Sequence, residues 1–158
     1  MTAASALVRQ LRAVAGIPIY QIILFIALTA GVSVSALAEE KSVVIVNASV
    51  QANNLTRSEL RQIFTGHLQY WSDGKKIHVF VLDDTNALHK TFCREKLQMF
   101  PYQLSRLWNQ LTYSGQGVTP THVPSQVALI NAIEHTPGAI GYMENGLTIQ
   151  AKQLEVRE

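Results

Sequence analysis

Cysteine is nearly absent. Cys93 is the only one in 158 residues, so no intramolecular disulfide can staple the chain and its stability must come from packing. Clustered lysine and arginine are missing too, which removes the electrostatic footprint of a nucleic-acid binder. There is no long run of one charge, and no internal repeat or low-complexity tract lies within residues 39–158. Without a second cysteine or a His-x-x-x-His pair, the familiar spacings of a metal centre are excluded; His89 and Cys93, four apart on one helix, offer two ligands at most. No cofactor motif is present. No nucleophile, base and oxyanion-donor set falls together either, so the sequence argues against an enzyme, with a hydrolase the least unsuitable kind.

What the chain does have is a leader. Arg9 and Arg12 make a basic start, Ile17 to Ala30 is largely apolar, and Ala36-Leu37-Ala38 is a small-x-small cleavage pattern ahead of Glu39-Glu40. Residues 1–38 read as an export signal and 39–158 as one domain. The competing reading is an uncleaved anchor, since apolar character persists to Leu37. Arg9 and Arg12 are the only charged residues of the leader, so the remaining chain carries eleven residues of each sign and the basic pI belongs to the signal.

Ser42 to Val46 is a β-branched apolar run that suits a strand covered on both faces. Leu55-Thr56-Arg57-Ser58-Glu59-Leu60 spells a helix start, with Thr56 as N-cap, Glu59 closing a capping box, and Leu55 and Leu60 at staple positions. Leu60, Ile63, Phe64 and Leu68 share its inner face, and Gly66 can end it. Ile77 to Leu82 is the second strand; Asp83 or Asp84 caps a helix reaching about Leu97. Pro101 opens another, with Leu104, Leu107, Trp108 and Leu111 as its apolar stripe. Tyr113 to Pro124 has loop composition. Ser125 caps a helix containing Val127, Ile130 and Ile133, Ala139 to Met143 returns as a strand in which Gly141 permits a close approach, and Leu147 to Val156 is expected as an edge strand. The order βαβαααββ predicts an α/β layer.

In such a layer, ligands collect at loops beyond the carboxyl ends of strands, where helix N-termini converge. Asn47 and Ser49 follow the first strand, and Asp84, Thr85 and Asn86 follow the second. Ser114-Gly115-Gln116-Gly117 can form a nest of backbone donors. Capping and turn formation compete for every one of these residues.

The combination Leu55-Thr56, Glu59-Leu60, Ile63-Phe64, Gly66 and Trp71, followed by a strand and helix and then by Pro137-Gly138-Ala139-Ile140-Gly141-Tyr142, resembles the substrate-binding proteins of phosphate ABC transporters, and above all their short, single-domain type. The likeness runs from Val43 to Met143. It implies a single lobe of a type II periplasmic-binding-protein-like fold, with a mixed sheet flanked by helices, working outside the cytoplasm in the periplasm. It also implies a phosphate or other small-anion ligand and a membrane transporter or sensor as partner. Two departures stand out. Residues 39–158 supply little more than one lobe, and the loop reads Leu82-Asp83-Asp84-Thr85-Asn86-Ala87-Leu88 where the family carries Arg two residues before an Asp and then Gly-Ser-Gly-Thr. Leu82 holds the arginine position, Asn86 that of the serine and Leu88 that of a threonine; Asp84 alone matches. The alternative is a one-lobed module that has lost its ligand and docks another protein through Leu82, Leu88 and Tyr113.

Overall fold

The computed structural model describes residues 41–115 and 119–157. The expected export signal and its junction at Glu39 lie outside the described residues, as do Gln116 and Gly117 of the expected nest. The chain runs β1 (Ser42–Val46), β2 (Asn54–Thr56), α1 (Arg57–Phe64), β3 (His78–Val81), α2 (Ala87–Phe92), a π turn (Cys93–Leu97), α3 (Pro101–Ser114), β4 (Thr121–His122), α4 (Gln126–His135), β5 (Ala139–Glu144) and β6 (Lys152–Arg157). The six strands form one mixed sheet in the order β2-β6-β1-β5-β3-β4.

β1 and β5 sit at its centre, paired antiparallel with Ile45 opposite Gly141. Val44, Ile45 and Val46 are all fully buried although successive side chains point to opposite faces, so both faces of the sheet are covered. Neighbouring residues of β5 identify the covers. A Cβ on Gly141 would fall 2.6 Å from Ile133 Cδ1 and 3.0 Å from Leu129 Cδ2, both on α4. Tyr142, pointing the other way, stacks on Phe92 of α2 at 4.0 Å and meets Phe64 of α1 at 6.3 Å. On that same side the Trp108 indole N–H of α3 donates to Phe64 O at 2.7 Å. Three helices cover one face and α4 the other.

The capping box of α1 forms as its sequence requires: Thr56 Oγ1 accepts from Glu59 N–H, and the Glu59 carboxylate accepts from Thr56 N–H at 2.8 Å. Ser125 caps α4. Several expectations need correction. The cap of α2 is Asn86, whose Oδ1 accepts from Leu88 N–H at 2.9 Å and His89 N–H; Asp83 instead turns back to Thr85. The α2 helix stops at Phe92 and continues as the π turn, closed by Gln98 in the left-handed region at φ 50°. β6 is interior, because β2 pairs parallel along its outer side. β2 and β4, three- and two-residue segments hidden in loop-like sequence, are the edges instead. Val127 is 77 % exposed, and Leu129 takes the inner position of α4.

Candidate functional site

The direction of the strands decides which loops can meet. β5 runs antiparallel to β1 and parallel to β3, so β1 and β3 run opposite ways and their carboxyl ends lie at opposite ends of the sheet. Asn47 and Ser49 are therefore not brought to the loop of Asp84. Asn47 Nδ2 donates to Ile133 O and Glu134 O, each at 2.8 Å, tying down the carboxyl end of α4, and its Oδ1 accepts from Ser49 N–H. Ser49 Oγ accepts from Gly138 N–H at 3.1 Å. Both act as clamps. Ser114 and Gly115 sit at the carboxyl end of α3, where the helix dipole repels an anion. Ser114 Oγ donates to Leu111 O, and Gly115, at φ 65°, gives its N–H to Thr112 O.

The loop after β3 is built differently. Thr85 spends both its hydroxyl and its N–H on Asp83 Oδ1, at 2.6 and 2.9 Å, which holds the Asp83 carboxyl below the usual range. Asn86 is committed to the cap. Asp84 is left facing a cavity of about 410 Å³ between this loop, α3 and the strand β4, lined also by Asp83, Ser105, Trp108, Asn109, Thr112, Thr119, Pro120 and His122. Ser105, Asn109 and Thr112 fall at i, i+4 and i+7 of α3, one polar face beside the buried Trp108. Reading only the apolar stripe of α3 conceals them; the same spacing among its polar residues is the signal that finds them. His122 reaches the cavity because β4 pairs parallel to β3, with Val81 opposite it. Among the described residues the lining contains no lysine or arginine.

Asp84 links the cavity to the core. Ser105 Oγ donates to its Oδ2, while its Oδ1 is buried and has no hydrogen-bond partner among the described residues. That oxygen lies 3.6 Å from Nε2 of His89, a side chain with no exposed surface. Burial drives the His89 pKa below its ordinary 6.5, against the opposing pull of Asp84. His89 Nδ1 meets the Tyr142 hydroxyl at 2.5 Å, and that hydroxyl accepts from Leu82 N–H at 2.9 Å. Cys93 does share a helix face with His89, at 3.4 Å from Nε2, but burial pushes its thiol up to about 12, so it is a protonated packing group. No group of three His, Cys, Asp or Glu side chains suited to a metal ion gathers among the described residues.

Leu82 and Leu88 are buried, at 1 % and 7 % exposure, so the apolar docking patch expected from them does not form; only Tyr113 of that set is exposed. Burial also explains the apolar residue at the arginine position: Leu82 points into the core while its N–H serves Tyr142.

The architecture has solved counterparts. An ABC-type phosphate transport receptor from Vibrio cholerae superposes with a TM-score of 0.55 at 20 % identity, over 73 % of this chain and 46 % of that one. PstS from Borrelia burgdorferi gives 0.53 at 19 %, over 73 % and 47 %. A Clostridium perfringens protein solved with phosphate bound gives 0.59 at 16 %, over 73 % and 44 %. The chain thus spans a little under half the length of these structures, and the likeness is one of fold. Among curated proteins none matches at a significant level. The model of the PBP superfamily domain matches residues 37–157, which takes in the whole described fold, and the chain belongs to that family.

Proposed function

We propose that this protein is a non-enzymatic receptor for phosphate or another small oxyanion that carries a proton, held in the cavity beside Asp84. The observation that carries the reading is the lining itself: the Asp84 carboxylate, its Oδ2 held by Ser105, borders this cavity beside polar groups on Asn109, Thr112, Thr119 and His122, with Asp83 turned to Thr85 and no lysine or arginine among the described lining residues. A fully ionised anion would be repelled by Asp84; an anion with a proton to give meets it as an acceptor. Asp84 keeps the role given by its position in the loop. Thr85 and Asn86 act on the ligand indirectly, by shaping that loop. Placement in the periplasm belongs to the same proposal and rests on Arg9, Arg12 and Ala36-Leu37-Ala38; a membrane transporter or sensor protein as partner belongs to it too and rests on the likeness to transport receptors. The family's solved receptors are the precedent for ligand class.

Calorimetry of the full chain with phosphate and with sulfate tests it. Phosphate is expected to bind and sulfate to bind more weakly, because sulfate has no proton near neutral pH. Asp84→Asn should narrow that difference, and Asn109→Ala should weaken phosphate by about 1 kcal/mol, the worth of one hydrogen bond. Absence of heat with either anion sinks the reading.

A further inference from the structure

Asp84 is a surface carboxylate with a buried half, and what lies behind that half is ordered. The Tyr142 hydroxyl has one proton and accepts from Leu82 N–H; the acceptor nearest its proton is His89 Nδ1, 2.5 Å away. Burial raises the Tyr142 pKa, so the phenol keeps that proton. With Nδ1 receiving, a neutral imidazole must carry its hydrogen on Nε2, and Nε2 faces Asp84 Oδ1 at 3.6 Å and Cys93 Sγ at 3.4 Å. The opposite tautomer would leave the Tyr142 proton without this acceptor and turn a nitrogen lone pair toward a carboxylate.

We propose that Tyr142 and His89 are positioning residues for Asp84: Tyr142 fixes the His89 tautomer, and the Nε2–H so directed faces Asp84 Oδ1 and keeps the carboxylate turned as an acceptor toward the cavity, which sets the preference for a proton-bearing anion. This rests on the anion reading above. The other groups that face His89 do not supply such a donor. Cys93, from its own helix, is a weak partner; Asp83, from the loop, is turned to Thr85; His122, from β4, acts on His89 only through space; and Trp108, from α3, gives its N–H to Phe64 O. The arrangement also accounts for the orphan oxygen. A buried acceptor without a partner is costly unless a donor stands ready, and here the imidazole lies just beyond hydrogen-bond range.

The tautomer is read directly by ¹⁵N NMR of the unaltered full chain, and Nε2–H at neutral pH is expected; an Nδ1–H signal for His89 overturns the proposal whether or not any anion binds. Calorimetry with phosphate and sulfate then separates the two readings. His89→Leu should cut the phosphate-over-sulfate preference several-fold, since it removes the N–H dipole that faces Asp84 Oδ1, and His89→Gln, whose amide can again point an N–H at Asp84, should restore most of it. Tyr142→Phe should mix the tautomers and lower the preference without touching the cavity wall. Wild-type protein that binds neither anion removes the anion reading and the selective role with it. Wild-type protein that prefers phosphate, beside a His89→Leu or Tyr142→Phe chain that folds and keeps the same preference, removes the positioning role alone.

Discussion

Two glycines show how much of this fold hangs on single positions. Gly138 adopts φ 76°, in the left-handed region, and a Cβ there would lie 2.3 Å from the backbone oxygen of Lys76. Its carbonyl accepts from the Trp71 indole at 2.9 Å and from His78 N–H, and its N–H is held by Ser49. Gly141 has ordinary backbone angles and meets mainly the ends of Ile133 and Leu129, which can shift. Gly138→Ala should therefore destabilise the protein by about 2 kcal/mol or more and Gly141→Ala by about 1 kcal/mol, measured as shifts of the denaturant midpoint. Equal shifts would show that β5 does not rest on this contact. The Pro137-Gly138 and Gly141 signals are plain in the sequence; that Ser49 and Trp71 converge on the first of them is not, since those contacts span 89 and 67 residues of chain.

Among the elements, helix starts were the most legible, because a cap and its donors lie within four residues of one another. Thr56 with Glu59 and Ser125 with Ala128 behave as their local sequence demands. The start of α2 shows where such reading stops. Asp83, Asp84 and Asn86 are all competent caps, and the choice of Asn86 frees Asp83 to hold Thr85 and Asp84 to face the cavity. Asn86→Ala and Thr56→Ala are each expected to lower stability by about 1 kcal/mol. Asp83→Ala, at an exposed Asx turn, should cost clearly less; a loss from Asp83→Ala equal to that from Asn86→Ala would return the cap to Asp83. Short strands were the least legible elements. β2 and β4 have two or three residues each, too few for alternation to register, and they exist because β6 and β3 offer them backbone partners.

For the molecule as a whole, His89 makes stability depend on pH. Its pKa is depressed chiefly by burial, so in the native state it remains neutral where an unfolded chain already takes up a proton. Unfolding then binds a proton below about pH 6.5, and stability, full above that pH, falls as the pH drops toward the depressed native value. Denaturant midpoints of the wild type should decline as the pH falls below about 6.5, and His89→Leu should flatten that decline. A parallel decline in both would assign it to other groups. Glu59, held low by the Thr56 N–H and hydroxyl, and Asp83, held low by Thr85, add a second loss at more acid pH, as each is protonated below its ordinary value.

The sequence alone settled the α/β class, the helix starts, the central strands β1 and β5 and the special glycines, because each is written in contiguous residues whose spacing matches a helical or strand period. It offered Asp84 as one of seven loop residues for a ligand, with Asn47, Ser49, Thr85, Asn86, Ser114 and Gly115. Which loops share an end of the sheet was decided by strand direction, and that depends on pairings between β1, β5 and β3 made across long stretches of chain. Antiparallel pairing sent Asn47 and Ser49 to one end and Asp84 to the other; parallel pairing of β4 with β3 brought His122 to Asp84, and the packing of α3 turned Ser105, Asn109 and Thr112 toward it. The same packing set His89 between Tyr142 and Asp84, a relation between three segments that no local pattern could encode.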